Sequence, residues 1–207
     1  MKLPLFSTVL AASLLMVAAA PGAAVDTGSQ GPQVLAVDPQ GTPTFVQGDL
    51  GTLEGSNRRL AAVNFLQGYV VRTLGAAGTE ELIPTKVQRD DVGRLHVRVS
   101  QKIQGIPVVG AELIVHARRG NSQVYAVNGR FVPDKGLVTE PKLASAEALE
   151  ISLAESGFEV LSLPSETDLV YVIGSDGHAH MAWRTLVEYV GDEGYALDWI
   201  FSSSETG

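Results

Sequence analysis

Residues 95–128 read LHVRVSQKIQGIPVVGAELIVHARRGNSQVYAVN, and the apolar positions recur every second residue. Val97 and Val99 alternate with Arg98 and Ser100, and Leu113 and Val115 alternate with Ile114 and His116. Gly105 and Pro107 punctuate the first crossing, Gly110 closes it, and Arg118-Arg119-Gly120-Asn121 makes the next turn before Val124 and Ala126. A period of two interrupted by glycine-rich breaks predicts an antiparallel meander.

The period changes upstream. Ser56 and Asn57 precede Leu60, Val63, Asn64, Leu66, Tyr69, Val70 and Leu74, spaced by three and four residues, and Gly75 follows. This predicts a capped helix with one buried stripe. Asn64 and Gln67 read most simply as polar positions on a half-buried helix. Strands are predicted over 34–37, 44–46 and 82–88, with Asp38-Pro39-Gln40-Gly41 as the first turn. Phe131 to Asp134 closes a first unit of one long helix against about four antiparallel strands, a cystatin-like layer pair. Residues 135–142 read as a linker. A second helix starts at Ser145, with Leu149, Leu153 and Ala154 as its buried stripe and Gly157 as its stop. Strands over 168–173, 178–188 and 195–201 complete a second helix-then-meander unit, turned at Ser175-Asp176-Gly177 and Gly191-Asp192-Glu193-Gly194. The expected class is α+β: two cystatin-like units, each a helix packed on an antiparallel sheet.

Composition adds compartment and partner. The 207 residues are 45% hydrophobic and 18% charged, as in a folded protein. Lys2 and an apolar run to Ala20 precede the small residues Ala18-Ala19-Ala20-Pro21-Gly22-Ala23-Ala24. This is the shape of a secretory signal peptide over 1–24, with a membrane anchor as the other reading. The expected location is secreted or periplasmic, with no membrane partner after cleavage. Loss of 1–24 removes Lys2 from 15 basic residues and none of the 23 acids, leaving 14 basic residues and a net charge of −9. That excess argues against nucleic acid and suits either solubility or a partner with basic patches. There is no cysteine, so packing or a partner must hold the fold.

No catalytic or cofactor constellation emerges. Histidine occurs at 96, 116, 178 and 180; none is followed by Glu and no pair has i, i+4 spacing, so HExxH is absent. His178 and His180 lie two apart on a predicted strand, but no third metal ligand stands out. Asp90-Asp91 and Asp192-Glu193 fall in turns and read as solvated charges. Neither GxSxG nor a phosphate-cradling glycine loop is present.

The run GIPVVGAELIVH, with Gly105, Pro107, Gly110, Leu113, Val115 and His116, closely resembles the signature of the fungalysin/thermolysin propeptide domain. The end, Trp199-Ile200-Phe201 followed by Glu205-Thr206-Gly207, resembles the closing strand and turn of such pro-regions, although Ser203 and Ser204 stand where the family usually has aspartate and alanine. Residues 25–135 thus resemble the propeptide domain and 136–207 the PepSY domain that follows it in precursors of secreted thermolysin-like zinc metalloproteases.

The resemblance implies a non-catalytic pro-region acting as intramolecular chaperone and temporary inhibitor. Its implied partner is a thermolysin-like catalytic domain, in cis or in trans. Zinc and calcium are implied only for that domain, and no cofactor for this chain. Trp199, Phe201, Thr206 and Gly207 are the expected protease contacts. The chain ends where a precursor would continue, so it reads either as a piece of one or as a free-standing pro-region. The rival reading is a secreted cystatin-like module that restrains proteases or binds peptides in trans.

Overall fold

The computed structural model describes residues 31–78, 80–156, 159–162, 167–191 and 194–206. The predicted signal peptide, Gly157, the Asp192-Glu193 turn and Gly207 lie outside the described residues. Ten strands and two helices follow one another as β1 (Gln33–Val37), β2 (Pro43–Gln47), α1 (Arg58–Leu74), β3 (Glu81–Arg89), β4 (Leu95–Ile103), β5 (Ile106–Ala117), β6 (Val124–Gly129), α2 (Ser145–Ser156), β7 (Glu159–Ser162), β8 (Thr167–Ile173), β9 (Ala179–Gly191) and β10 (Gly194–Ser203). The architecture is α+β.

Local chemistry accounts for the ends of these elements. The Asn57 side chain accepts from the amides of Arg59 and Leu60 and caps α1, and Gly75 ends it in the left-handed conformation. The buried face of α1 is Ala61, Ala62, Leu66, Tyr69, Val70 and Leu74. Leu60, predicted for that stripe, is 56% exposed. It lies one residue before Ala61, and a step of one residue turns a side chain by about 100° around the helix. In α2 the buried residues are Ala148 and Leu149, while Leu153 is half-buried and Ala154 exposed.

The first six strands form an antiparallel array in which β3 pairs with β4, β4 with β5, β5 with β6, β6 with β2 and β2 with β1. Gln104 and Gly105, both with positive φ, make the two-residue turn between β4 and β5. Alternation then sorts the side chains. Leu95, Val97, Val99, Leu113 and Val115 enter the core against α1, each contributing on the order of 2 kcal/mol by burial. His96, Arg98, Glu112 and His116 stand on the other face and are only partly covered.

The second half is a meander of β8, β9 and β10, with short β7 beside β9. It joins the first half through β5. Val108 and Val109 pair in parallel with Tyr171 and Val172 of β8, giving one ten-stranded sheet. Ile103, Val108, Ala111, Tyr171 and Met181 bury a second core at that junction. The Tyr171 hydroxyl donates to the Val138 carbonyl (2.8 Å), and the Gln101 amide exchanges hydrogen bonds with the backbone of Val132. The segment read as a linker is thereby pinned to the sheet.

Glu80 is only 6% exposed. Its carboxylate accepts from the amides of Ala77, Gly78 and Asp134, so one side chain joins the α1–β3 loop to the start of the linker. Burial pushes its pKa up, but these backbone donors outweigh burial and hold it below the ordinary value.

Two tests follow from this packing. Gly129 has φ +128 and its absent Cβ would collide with the Glu112 carbonyl. Gly129→Ala should therefore cost more than about 3 kcal/mol, against about 1 kcal/mol for Asn57→Ala, both read from urea unfolding. Because the folded-state pKa of Glu80 is depressed, its contribution is fully present above the ordinary glutamate value of 4.5 and is lost as pH falls below it. Glu80→Gln should be less stable at neutral pH and should show a shallower loss of stability with acid.

Candidate functional site

β10 presents apolar residues at alternate positions on a face that nothing covers among the described residues. Tyr195 is 65% and Trp199 50% exposed, with Leu197 and Phe201 between and beyond them also exposed. The cross-strand register sets Val190 of β9 opposite Tyr195 and Leu186 opposite Trp199, and both are exposed. The other face of the same strands is closed: Thr185, Val187 and Ser202 are buried, and α2 packs against β9 and β10. A single helix thus shields one side of the meander and leaves a contiguous apolar stripe on the other. Such a stripe marks an interaction surface. β10 pairs only with β9 in the described sheet, so the stripe also lies along an open edge.

Polar groups hold this surface in shape. The Arg184 guanidinium lies 4.6 Å from the centre of the Trp199 ring and donates to Asp168 (2.5 Å). Glu188 accepts from the Tyr195 hydroxyl (2.7 Å) and the Ser162 hydroxyl (2.8 Å), which keep its carboxyl below the ordinary range; the same contact raises the Tyr195 phenol. Two large aromatic residues are therefore presented with their orientation fixed, which lowers the entropy lost on docking.

Of the predicted contact residues, the structure puts Trp199 and Phe201 on the stripe and Thr206 in the exposed turn after β10; Gly207 lies outside the described residues. That turn is anchored by Ser204, whose hydroxyl donates to the Met181 carbonyl and whose own carbonyl accepts from Lys142 and Leu143. Tyr195, Leu197, Leu186 and Val190 share that stripe but were not singled out in the sequence. Alternation was the available signal for Leu186, Tyr195 and Leu197, while Val190 lies beyond the predicted end of its strand; the sequence does not say which face α2 takes.

The motif residues are placed differently. Gly105 is in the β4–β5 turn, Pro107 pairs with Lys102, Gly110 has φ +83 beside the β8 junction, and Leu113 and Val115 are core. His116 is half-buried on the outer face beside His96. The other two histidines do not make a metal pair. His180 pairs with Asp176 (2.9 Å), and the His178 amide donates to the same carboxylate. They border a cleft of about 530 Å³ between the halves, shared with Asp38, Gln40, Lys135 and Glu205. Asn64 and Gln67 are exposed on α1. Among the described residues no cluster of three or more His, Cys, Asp or Glu could hold a metal, and no helix is long and apolar enough to cross a membrane.

Residues 80–131 match the family Fungalysin/Thermolysin Propeptide Motif, a non-catalytic element covering β3 to β6. The chain is similar to the thermostable neutral protease NprT of Geobacillus stearothermophilus, 31% identical over 120 residues, which cover 56% of this chain and 20% of that protein. It is 30% identical to thermolysin of Alicyclobacillus acidocaldarius over 114 residues (55% and 20%), and 26% identical to the transglutaminase-activating metalloprotease of Streptomyces mobaraensis over 133 residues (63% and 18%). The chain spans about a fifth of the length of these curated relatives, and the matched part is their propeptide region rather than their catalytic domain. The resemblance to a thermolysin-like propeptide is thus borne out. Among solved structures, the Bacillus megaterium YpeB C-terminal domain aligns with a TM-score of 0.35 and 13% identity, over 79% of this chain and 73% of that one.

The two tryptophans report on the site. Trp183 is partly buried and donates to the Leu143 carbonyl (3.0 Å), whereas Trp199 faces solvent. Trp183→Phe should leave emission that iodide quenches strongly; Trp199→Phe should leave emission that it quenches weakly. Equal quenching in both would contradict the open face.

Proposed function

We propose that this chain is the pro-region of a secreted thermolysin-like zinc metalloprotease and acts as chaperone and temporary inhibitor of its catalytic domain, in cis or in trans. The observation that carries the reading is the propeptide match over 80–131, together with relatives whose matching fifth is propeptide. In this reading 1–24 is a signal peptide, and 25–135 and 136–207 are two cystatin-like units, the second PepSY-like. The presence of one helix in each half supports that division. The β9–β10 stripe is the docking surface, with Trp199 as its central anchor and Thr206 and Gly207 at its margin.

The physics is that of preferential binding. A preformed sheet surface that docks only on native-like protease stabilises the folded state by mass action. Covalent linkage through a short flexible linker would raise the effective concentration to the order of mM. The same contact, kept after folding, blocks the enzyme until the pro-region is cut away.

The test is to refold a denatured thermolysin-like catalytic domain with and without this chain and to titrate the chain against mature enzyme. Rescue of folding together with inhibition is expected. Trp199→Ala should weaken inhibition at least about tenfold, as for a buried aromatic anchor. A folded Trp199→Ala chain that inhibits like the parent would remove the β9–β10 surface. Absence of both rescue and inhibition by the folded parent would remove the pro-region reading itself.

A further inference from the structure

On the outer face of the first half, four side chains from four consecutive segments form one line. Asp90 comes from the β3–β4 turn, His96 from β4, His116 from β5 and Asn128 from β6. His96 and His116 are directly opposed across the strands. Their Nδ1 atoms are 2.6 Å apart, with the rings edge to face at 4.8 Å. Outward from this pair, His96 Nε2 faces Asp90 Oδ2 at 3.3 Å and His116 Nε2 faces Asn128 Oδ1 at 2.5 Å.

Counting hydrogens shows what this line tolerates. Two nitrogens at 2.6 Å share one hydrogen: one ring donates and the other accepts. The Asn128 amide can be turned to accept from or donate to His116 Nε2. With the amide accepting, His116 is a neutral ring that takes the shared hydrogen from His96. With the amide donating, both rings are neutral. In neither case can both rings be imidazolium, because each would then carry a hydrogen on Nδ1, pointing at the other.

The surroundings add to that restriction. Arg94 is bound to Asp90 in the same turn, Arg98 of β4 is bound to Glu112 of β5, and Arg118 lies over Tyr125 of β6. β3 sets Gln88 opposite His96 and the cation Lys86 opposite Arg98 on the same face, and β2 sets Phe45 opposite Asn128. Among the described residues the carboxylate that touches the pair is Asp90, which faces His96 and not His116. Burial first, and then the positive charge of His96 and Arg94, lowers the pKa of His116 despite its bond to Asn128.

We propose that the His96–His116 pair is an acid-opened link: a second proton drives the rings apart and loosens the antiparallel centre of the propeptide motif. The sign follows from linkage. A histidine whose proton affinity is depressed in the fold contributes stability that is complete above its ordinary value of 6.5 and is lost as pH falls below it. The unfolding constant then rises about tenfold for each unit of that depression. Asp90, with its pKa held down at about 2, stays ionised throughout this window and is not the group that titrates. The stability of the chain alone reads out this link, whatever docks on β9 and β10.

The test is urea unfolding of the full chain between about pH 7.5 and about pH 5, the range in which histidine changes charge. The midpoint should fall with pH in the parent and in a His178→Gln/His180→Gln control, and should be nearly level in His116→Gln. A level parent curve, or a His116→Gln curve that falls as the parent does, overturns the proposal. Should His116→Gln not fold, ring NMR of the parent decides. A His116 midpoint below that of an ordinary histidine, rising in His96→Gln, supports the link; a midpoint at or above the ordinary value refutes it.

Discussion

β5 pairs with three other strands, and that shared pairing makes the two halves one sheet. Its first residues close the Gln104-Gly105 turn onto β4, Val108 and Val109 take β8 in parallel, and residues 113–117 carry β6. Apolar burial follows from this geometry. Val115 and Leu113 reach α1 on one side, and Val108 and Ala111 reach Tyr171 and Met181 further along the strand. A change that slipped β5 by one residue would turn His116 and Glu112 into the first core and put Val115 outside. Such a slip would disturb both cores at once.

The two halves use their single helices differently. α1 runs 17 residues and covers a core of valines and leucines drawn chiefly from β4, β5 and β6. α2 runs 12 residues against a meander whose two long strands have 13 and 10 residues. One short helix closes one face, and the alternation of β9 and β10 makes both faces apolar enough to need a cover. The uncovered stripe from Leu186 to Phe201 is therefore a consequence of the element count, and it stays rigid because Arg184, Glu188 and Ser162 tie its side chains.

Features set by neighbouring residues were legible in the sequence. The Asn57 cap, the Gly75 stop, the turn at Gly105 and the alternation through β4 and β5 depend on local φ, hydrogen bonding and period. So do the placements of Trp199 and Phe201 on a strand. Features set by distant contacts were not legible. β7 has four residues and too little periodicity to announce itself. The parallel Val108–Tyr171 contact joins segments more than sixty positions apart and has no local signal. Leu60 looked like core because it is large and apolar, yet Ala61 and Ala62 take the buried face at that turn. Glu80 carries no local signal, because only the fold brings three backbone amides around it. His116 could be singled out from the motif, but only the register puts His96 against it.

The residues that make the chain recognisable are not those that form the exposed apolar stripe. Gly105, Leu113 and Val115 specify a turn and a packed hairpin, so a match over 80–131 reports chiefly that β3 to β6 pair in a given register. The apolar stripe belongs to β9 and β10, outside that match, where alternation alone sets which residues are presented. What connects them is mechanical: β8 is anchored on β5, and β9 and β10 are built outward from β8. A disturbance at the His96–His116 line reaches the stripe along the sheet by way of β5, whose pairing with β8 is just two residues long, beside the hydrogen bonds that residues 132–143 make to both halves. That short junction is the point at which the stability of the motif and the presentation of the surface can be coupled or separated.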